Sequence, residues 1–186
     1  IAQGGAERIL VDYYHWLEEN GTKVKVFVLS GNASQSVWTE GLDVSYGVEK
    51  DVDSLFGKLK NLILCIRKLR ELYNDFTPNA VFSFLEKSNV LSSFLPNTSR
   101  KVLSVHNVLS VQYLKISNLP LRFLWSRFLK WRYNSSKSIL LAVSEQVKED
   151  LVKSFGVKDK KIFVVNNFVN RQDLLLKTQE EIDDFC

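Results

Sequence analysis

Hydrophobic positions in this chain switch repeatedly between helical spacing and short unbroken apolar runs. Ile9, Leu10, Tyr13, Trp16 and Leu17 recur with a helical period, and Asn20-Gly21 supplies the stop. Residues 23–30 (KVKVFVLS) read as a strand ending at Gly31, and residues 32–50 as an irregular polar stretch with a short strand near Val44. A long amphipathic helix is expected over 53–76, with Asp53 or Ser54 as its N-cap and Thr77-Pro78 as its end. A buried-type strand follows at 80–84 (AVFSF), then a helix over 87–94.

The second half repeats the alternation. Residues 101–106 (KVLSVH) form a strand, then come a loop, a helix over 120–133 and another buried-type strand at 138–143 (SILLAV). Ser144 caps a helix running to Phe155, Gly156 breaks it, and residues 161–165 (KIFVV) close the series. Strands alternating with helices throughout predict an α/β fold, a Rossmann-like doubly wound parallel sheet. Such sheets bind ligands outside the carboxyl ends of their strands. The residues at those positions are Gly4-Gly5, Gly31, Ser83 to Glu86, His106-Asn107 and Ser144-Glu145.

The glycine pair is the most informative of these. Two adjacent glycines let a ligand approach the backbone closely, and the following helix offers unpaired N–H groups and a positive dipole end. A phosphate or sugar diphosphate suits that spot. A tight turn alone would also account for it.

Composition narrows the class. The chain is 45% hydrophobic and 25% charged, ordinary for a soluble globular protein, and no apolar run approaches the roughly 20 residues that span a bilayer. A net charge of +4 is too small to argue for nucleic acid, and no nucleic-acid motif accompanies it. Cys65 and Cys186 give neither a disulfide framework nor metal-ligand spacing, which suits a reducing, cytoplasmic compartment. Sequons at Asn32, Asn97 and Asn134 are read as coincidental. Asp51 and Asp53 open a helix and read as caps, so no metal is expected. The chain contains no methionine, and its polar residues 177–184 resemble a linker. The expectation is a fragment: one domain over 1–165, then 166–186 as a linker or the start of another domain, with a first strand missing ahead of Gly4.

The order of Gly-Gly-Ala-Glu-Arg (4–8), Ser-Phe-Leu (83–85), Val-His-Asn (105–107), Val-Ser-Glu (143–145) and Val-Val-Asn-Asn-Phe-Val-Asn (164–170) resembles a bacterial group 1 glycosyltransferase. More narrowly, it is similar to the amino-terminal domain of retaining GT-B enzymes of glycosyltransferase family 4. The resemblance implies two Rossmann-like domains facing a cleft, the first on the acceptor side and the second holding the nucleotide of the donor. It implies a nucleotide-sugar donor (a UDP- or GDP-sugar), a glycan or polyprenyl-linked acceptor, cell-surface polysaccharide assembly and no separate cofactor. Residues 164–170 then resemble the connection into the donor domain, whose paired glutamates this chain lacks.

On that resemblance the candidate residues take roles. His106 is the candidate catalytic residue, at a strand end where it can hydrogen-bond the transferred sugar or a phosphate. Gly4 and Gly5 would present N–H groups to the donor phosphates, and preorganised donors there lower the barrier without a protein nucleophile. Asn107, Glu86, Ser144 and Glu145 line the same edge, Glu86 as a contact for an acceptor hydroxyl. Ser144-Glu145 also reads simply as a helix cap, and His15, inside the first helix, as structural.

The helix over 120–133 raises a membrane role. Leu121, Leu124, Trp125, Phe128, Leu129 and Trp131 are expected on one face, with Arg122, Arg127 and Lys130 opposite and Phe123 among them. Such a helix suits an anionic membrane surface, here the inner face of the cytoplasmic membrane, and equally a core helix with a solvated basic side. Lys58, Lys60, Arg67, Lys68 and Arg70 extend the basic surface. Two other functions fit the fold: a non-catalytic phosphate- or sugar-binding module, and a nucleotide-sugar epimerase.

Overall fold

The computed structural model describes residues 5–30, 41–50, 52, 54–114, 119–135 and 137–166. The elements in chain order are α1 (Gly5–Glu19), β1 (Val26–Ser30), β2 (Val44–Val48), α2 (Leu55–Phe76), β3 (Ala80–Phe84) and α3 (Glu86–Ser93). There follow β4 (Arg100–Val105), α4 (Leu109–Leu114), α5 (Leu119–Ser135), β5 (Ile139–Ala142), α6 (Glu145–Lys153) and β6 (Ile162–Val164).

Every strand pair is parallel, as the alternation requires. Pairing falls into two blocks, β1 with β2 and the four-stranded order β3-β4-β5-β6. Register aligns the strand ends in the larger block: Phe84 pairs with Ser104, Val105 with Ala142 and Ala142 with Val164. The two faces of this block are covered differently. Leu103, Val105, Leu140 and Ala142 point to one side, where Leu129 and Tyr133 of α5 and Val147 and Leu151 of α6 complete a core buried to a few per cent exposure or less. Phe82 and Phe84 point to the other side and meet Tyr13 of α1, with ring centroids 5.9 and 6.4 Å apart. Helices on both faces make the sheet doubly wound.

A second cluster, Val48, Cys65 and Leu91, joins β2 to α2 and α3. Gly47 permits it: a Cβ there would lie 2.6 Å from Cys65 Sγ, so α2 could not approach β2 over any larger residue. The Cys65 thiol donates to Leu29 O.

Several expectations need correction. The first strand begins at Val26, not at residue 23, because Lys23 and Lys25 are solvated. Ser54 is the N-cap of α2, its hydroxyl accepting from Gly57 N–H at 3.1 Å, while Asp51 and Asp53 lie outside the described residues. The loop after β4 holds a helix, α4, too short to show a period in sequence.

The faces of α5 also differ from expectation. Leu124 and Trp131 are exposed, at 63% and 56%, and Arg122 is half-buried. Packing through Trp125, Leu129, Arg132 and Tyr133 rotates the helix so that one outer face carries Leu119, Phe123, Leu124, Arg127, Lys130 and Trp131. Arg132 fixes this rotation. Its guanidinium donates to Ser93 Oγ and Ser93 O at the end of α3 and stacks 3.9 Å over the Phe94 ring. The Asn134 side chain is engaged at both ends, donating to Gly156 O and accepting from Lys158 N–H.

Candidate functional site

Neighbouring parallel strands lie about 4.8 Å apart, so the aligned ends of β3 to β6 set their following residues in a row. That row holds Leu85-Glu86, His106-Asn107, Val143-Ser144 and Val165-Asn166. Five segments distant in sequence therefore meet at one edge, because Gly5 opens α1 beside β3 as well.

His106 sits on the α1 side of the sheet. It is half-buried, its ring 5.6 Å from that of Phe84, and its Nε2 lies 2.9 Å from Ser104 Oγ. Ser104 and His106 share a face because side chains two apart in a strand do. A serine hydroxyl can donate to Nε2 or accept from it, so Ser104 orients the imidazole in either tautomer. Tyr13, Phe84, Ser104, His106, Val143 and Asn166 line a cavity of about 20 Å³ here. A space that size takes one water or one hydroxyl group, not a sugar nucleotide.

The loop bearing His106 is held at both ends. Upstream, Asn89 of α3 is fully buried, accepts from Ser83 Oγ at 2.7 Å and donates to Ser104 O at 2.8 Å. Downstream, Asp150 of α6, 8% exposed, accepts the Ser110 N–H of α4 at 3.0 Å. An acid at the first turn of a helix also meets its positive dipole end.

Glu86 lies at the same edge but belongs to the other side of the sheet. It opens α3, and the residue before it, Leu85, holds φ 69° and ψ 160°, a region that residues with a Cβ rarely occupy. The Glu86 Oε1 atom is buried without a hydrogen-bond partner, as is the Tyr133 hydroxyl. Burial pushes the Tyr113 hydroxyl up to about 12, against the lowering effect of the Trp125 Nε1–H bond it accepts, and the charge of Glu86 adds to the rise. Burial likewise raises Tyr133, with the charges of Tyr113 and Glu86 contributing. Glu86 is thus grouped with Tyr113 and Tyr133 of α4 and α5, and the structure does not bring it into the cavity beside His106.

The other expected residues divide clearly. Gly5 is exposed, and no atom lies within 4 Å of where its Cβ would be, which leaves room for a ligand. Gly4 is outside the described residues. Asn107 is half-buried beside His106. The Ser144 hydroxyl accepts from Val147 N–H at 3.3 Å and so caps α6, with Glu145 exposed in the first turn. His15 is exposed, its ring edge-on to that of Tyr14. Among the described residues no group of three or more His, Cys, Asp or Glu is placed to hold a metal ion.

Sequence reasoning missed Ser104, Asn89 and Asp150. A signal existed for Asp150: it falls between Val147 and Leu151 on the buried stripe of α6, where an acid needs a partner. Ser104 inside an apolar strand gave no comparable sign.

Comparison with known proteins adds to this geometry. The family model described as Glycosyltransferase Family 4 matches residues 3–173. Among solved structures, the chain is similar to a glycosyltransferase from Rickettsia africae ESF-5, with a TM-score of 0.63 at 18% identity. That match covers 91% of this chain and 41% of the Rickettsia chain, so the chain spans less than half its length. At such identity the likeness concerns the fold. No curated protein matches.

Proposed function

The chain belongs to glycosyltransferase family 4, and from that premise we propose that it forms the acceptor-side half of a two-domain enzyme. That enzyme moves a hexosyl or N-acetylhexosaminyl unit from a UDP- or GDP-sugar to a glycan or polyprenyl-linked acceptor, with retention, in cell-surface polysaccharide assembly. In this reaction the bond from the anomeric carbon to the diphosphate oxygen breaks and a bond to the acceptor oxygen forms. The acceptor proton leaves with the nucleoside diphosphate.

The observation that carries the reading is His106, oriented by Ser104 at the carboxyl edge of the sheet beside a cavity of one-hydroxyl size. An imidazole fixed there hydrogen-bonds the transferred sugar or a phosphate oxygen as charge develops on the leaving group. The open backbone at Gly5 adds N–H groups at the start of α1. Asn107 stands beside the imidazole. Ser144 and Glu145 border the edge, with Ser144 acting first as a cap. The small cavity suits a half-site, the remainder being supplied by a facing domain as the resemblance implies.

The test uses the full-length protein and a panel of UDP- and GDP-sugars. His106→Ala is expected to lower transfer by about 10²-fold or more while leaving urea unfolding unchanged. Near-normal turnover would remove His106 from the reaction. Sugar-nucleotide binding without transfer by the unaltered protein would favour a non-catalytic binding module.

A further inference from the structure

His106 lies one residue beyond the end of β4, so its aim depends on the peptide units that lead to it. On the β5 side, Val105 O accepts the Val143 N–H at 3.3 Å. On the β3 side the ladder starts with Arg100 N–H on Asn79 O, and ladder bonds alternate, so Ser104 also turns its carbonyl toward β3. There Ser104 O accepts the side-chain N–H of Asn89 at 2.8 Å. The Ser104 hydroxyl stands 2.9 Å from His106 Nε2. Whatever fixes Ser104 therefore fixes both the backbone under the imidazole and the group that meets its ring.

Asn89 reaches this point because α3 starts only one residue after β3. Leu85, at φ 69° and ψ 160°, makes the reversal, and Asn89 follows one helical turn on with its own N–H bonded to Leu85 O. The residue is fully buried. A carbonyl can only accept, so the amide must turn Nδ2 to Ser104 O. Oδ1 then faces Ser83 Oγ at 2.7 Å, and the serine hydroxyl donates. One planar group thus joins the last turn of β3 to the last turn of β4, with donor and acceptor each assigned. A burden of this kind is not needed to hold α3 in place. Arg132 of α5 already fastens the far end of that helix through Ser93 Oγ and Ser93 O.

We propose that Asn89 is a positioning residue for His106: it ties the ends of β3 and β4 together through Ser83 and Ser104 and so holds the imidazole in its aim. The consequence for sugar transfer rests on the transferase reading; the consequence for the ring does not.

The ring can be observed directly. This chain contains two histidines, so exposed His15 serves as an internal reference. Nuclear magnetic resonance of the full chain with nitrogen-15-labelled histidine reports the tautomer and hydrogen bonding of each ring nitrogen. His106 is expected to show a held ring with proton contacts to Phe84, whose ring lies 5.6 Å away, and His15 an averaged one. In Asn89→Ala the His106 signals should move toward those of His15, and the contacts to Phe84 should weaken. Ser83→Ala removes only the hydroxyl that sets the amide's orientation, and should give a smaller change in the same direction. Ser93→Ala loosens the other end of α3 and should leave His106 as it is. An unchanged His106 spectrum in Asn89→Ala, or in Ser83→Ala where the first variant does not fold, overturns the proposal. So does an equal change in Ser93→Ala, which would assign the effect to general loosening of α3. In the full-length protein, Asn89→Ala should lower kcat roughly ten- to a hundredfold with KM nearly unchanged. Absence of transfer by the unaltered protein would remove the transferase reading and leave the ring result standing.

Discussion

At the scale of single residues, buried polar groups define the site more sharply than the exposed ones. Asp150 carries no expected chemistry, yet its carboxylate holds the first turn of α4, and with it the far end of the His106 loop. Removing a buried acceptor strands its donor, which costs about 1–3 kcal/mol. Asp150→Ala should therefore lower the urea unfolding free energy by about that amount. Asp150→Asn, whose side-chain oxygen can accept the same bond, should recover most of it. An unchanged midpoint in the alanine variant would show that Ser110 N–H is satisfied some other way. His106 was legible in sequence because it terminates an apolar strand. Its partner Ser104 was not, because a serine within a strand looks the same whether it orients a ring or merely fills space.

At the scale of elements, capping rules worked where side chains act locally. Ser54 and Ser144 each accept a backbone N–H three residues on, as their positions before apolar helical patterns suggested. The end of α2 follows a different rule. Thr77 closes it at φ 45° and ψ 59°, a left-handed cap that usually falls to glycine. The left-handed conformation costs an L-residue roughly 1–2 kcal/mol, and Thr77 is exposed, so its side chain contributes little to offset that. Thr77→Gly is expected to raise stability by about 1 kcal/mol in denaturant unfolding; a loss would mean that the threonine side chain secures the turn. For α5, periodicity established a helix but not its orientation. Apolar residues surround it, and the contacts of Arg132 with α3 choose the buried face.

At the scale of the whole molecule, burial of tyrosines and lysines sets the alkaline limit of the fold. Tyr113 is raised from 10.0 to about 12 by burial first, and Tyr133 is raised as well. A raised tyrosine contributes stability that is intact below pH 10 and is lost as pH climbs through its folded value. Lys101 and Lys161 act in the opposite direction. Burial lowers both, helped by Arg132 and by Lys158 respectively, so they add stability as pH rises from their lowered values to the ordinary lysine value of 10.5. Above that pH Lys101 and Lys161 add nothing further; the raised tyrosines lose their contribution, as does Lys148, raised by its bond to Asp159, while Arg132, lowered by burial, opposes the loss. Melting temperature should therefore hold up to about pH 10.5 and fall between there and 12 as tyrosinate absorbance grows. Tyr113→Phe should flatten that fall, and an equal decline in the variant would assign it elsewhere.

The alternation of apolar runs with helical spacing determined the α/β class, the parallel pairing and the edge where ligands would sit, because these depend on local periods and short connections. Tertiary structure alone decided which residues share that edge on the same side of the sheet. It put His106 with Ser104 and Tyr13, and Glu86 with Tyr113 and Tyr133, since strand register and the face of each strand are fixed only when distant segments pack. It also decided that Leu124 and Trp131 face solvent. A helix apolar on every side carries no instruction about which side to bury, and the neighbours it packs against supply one.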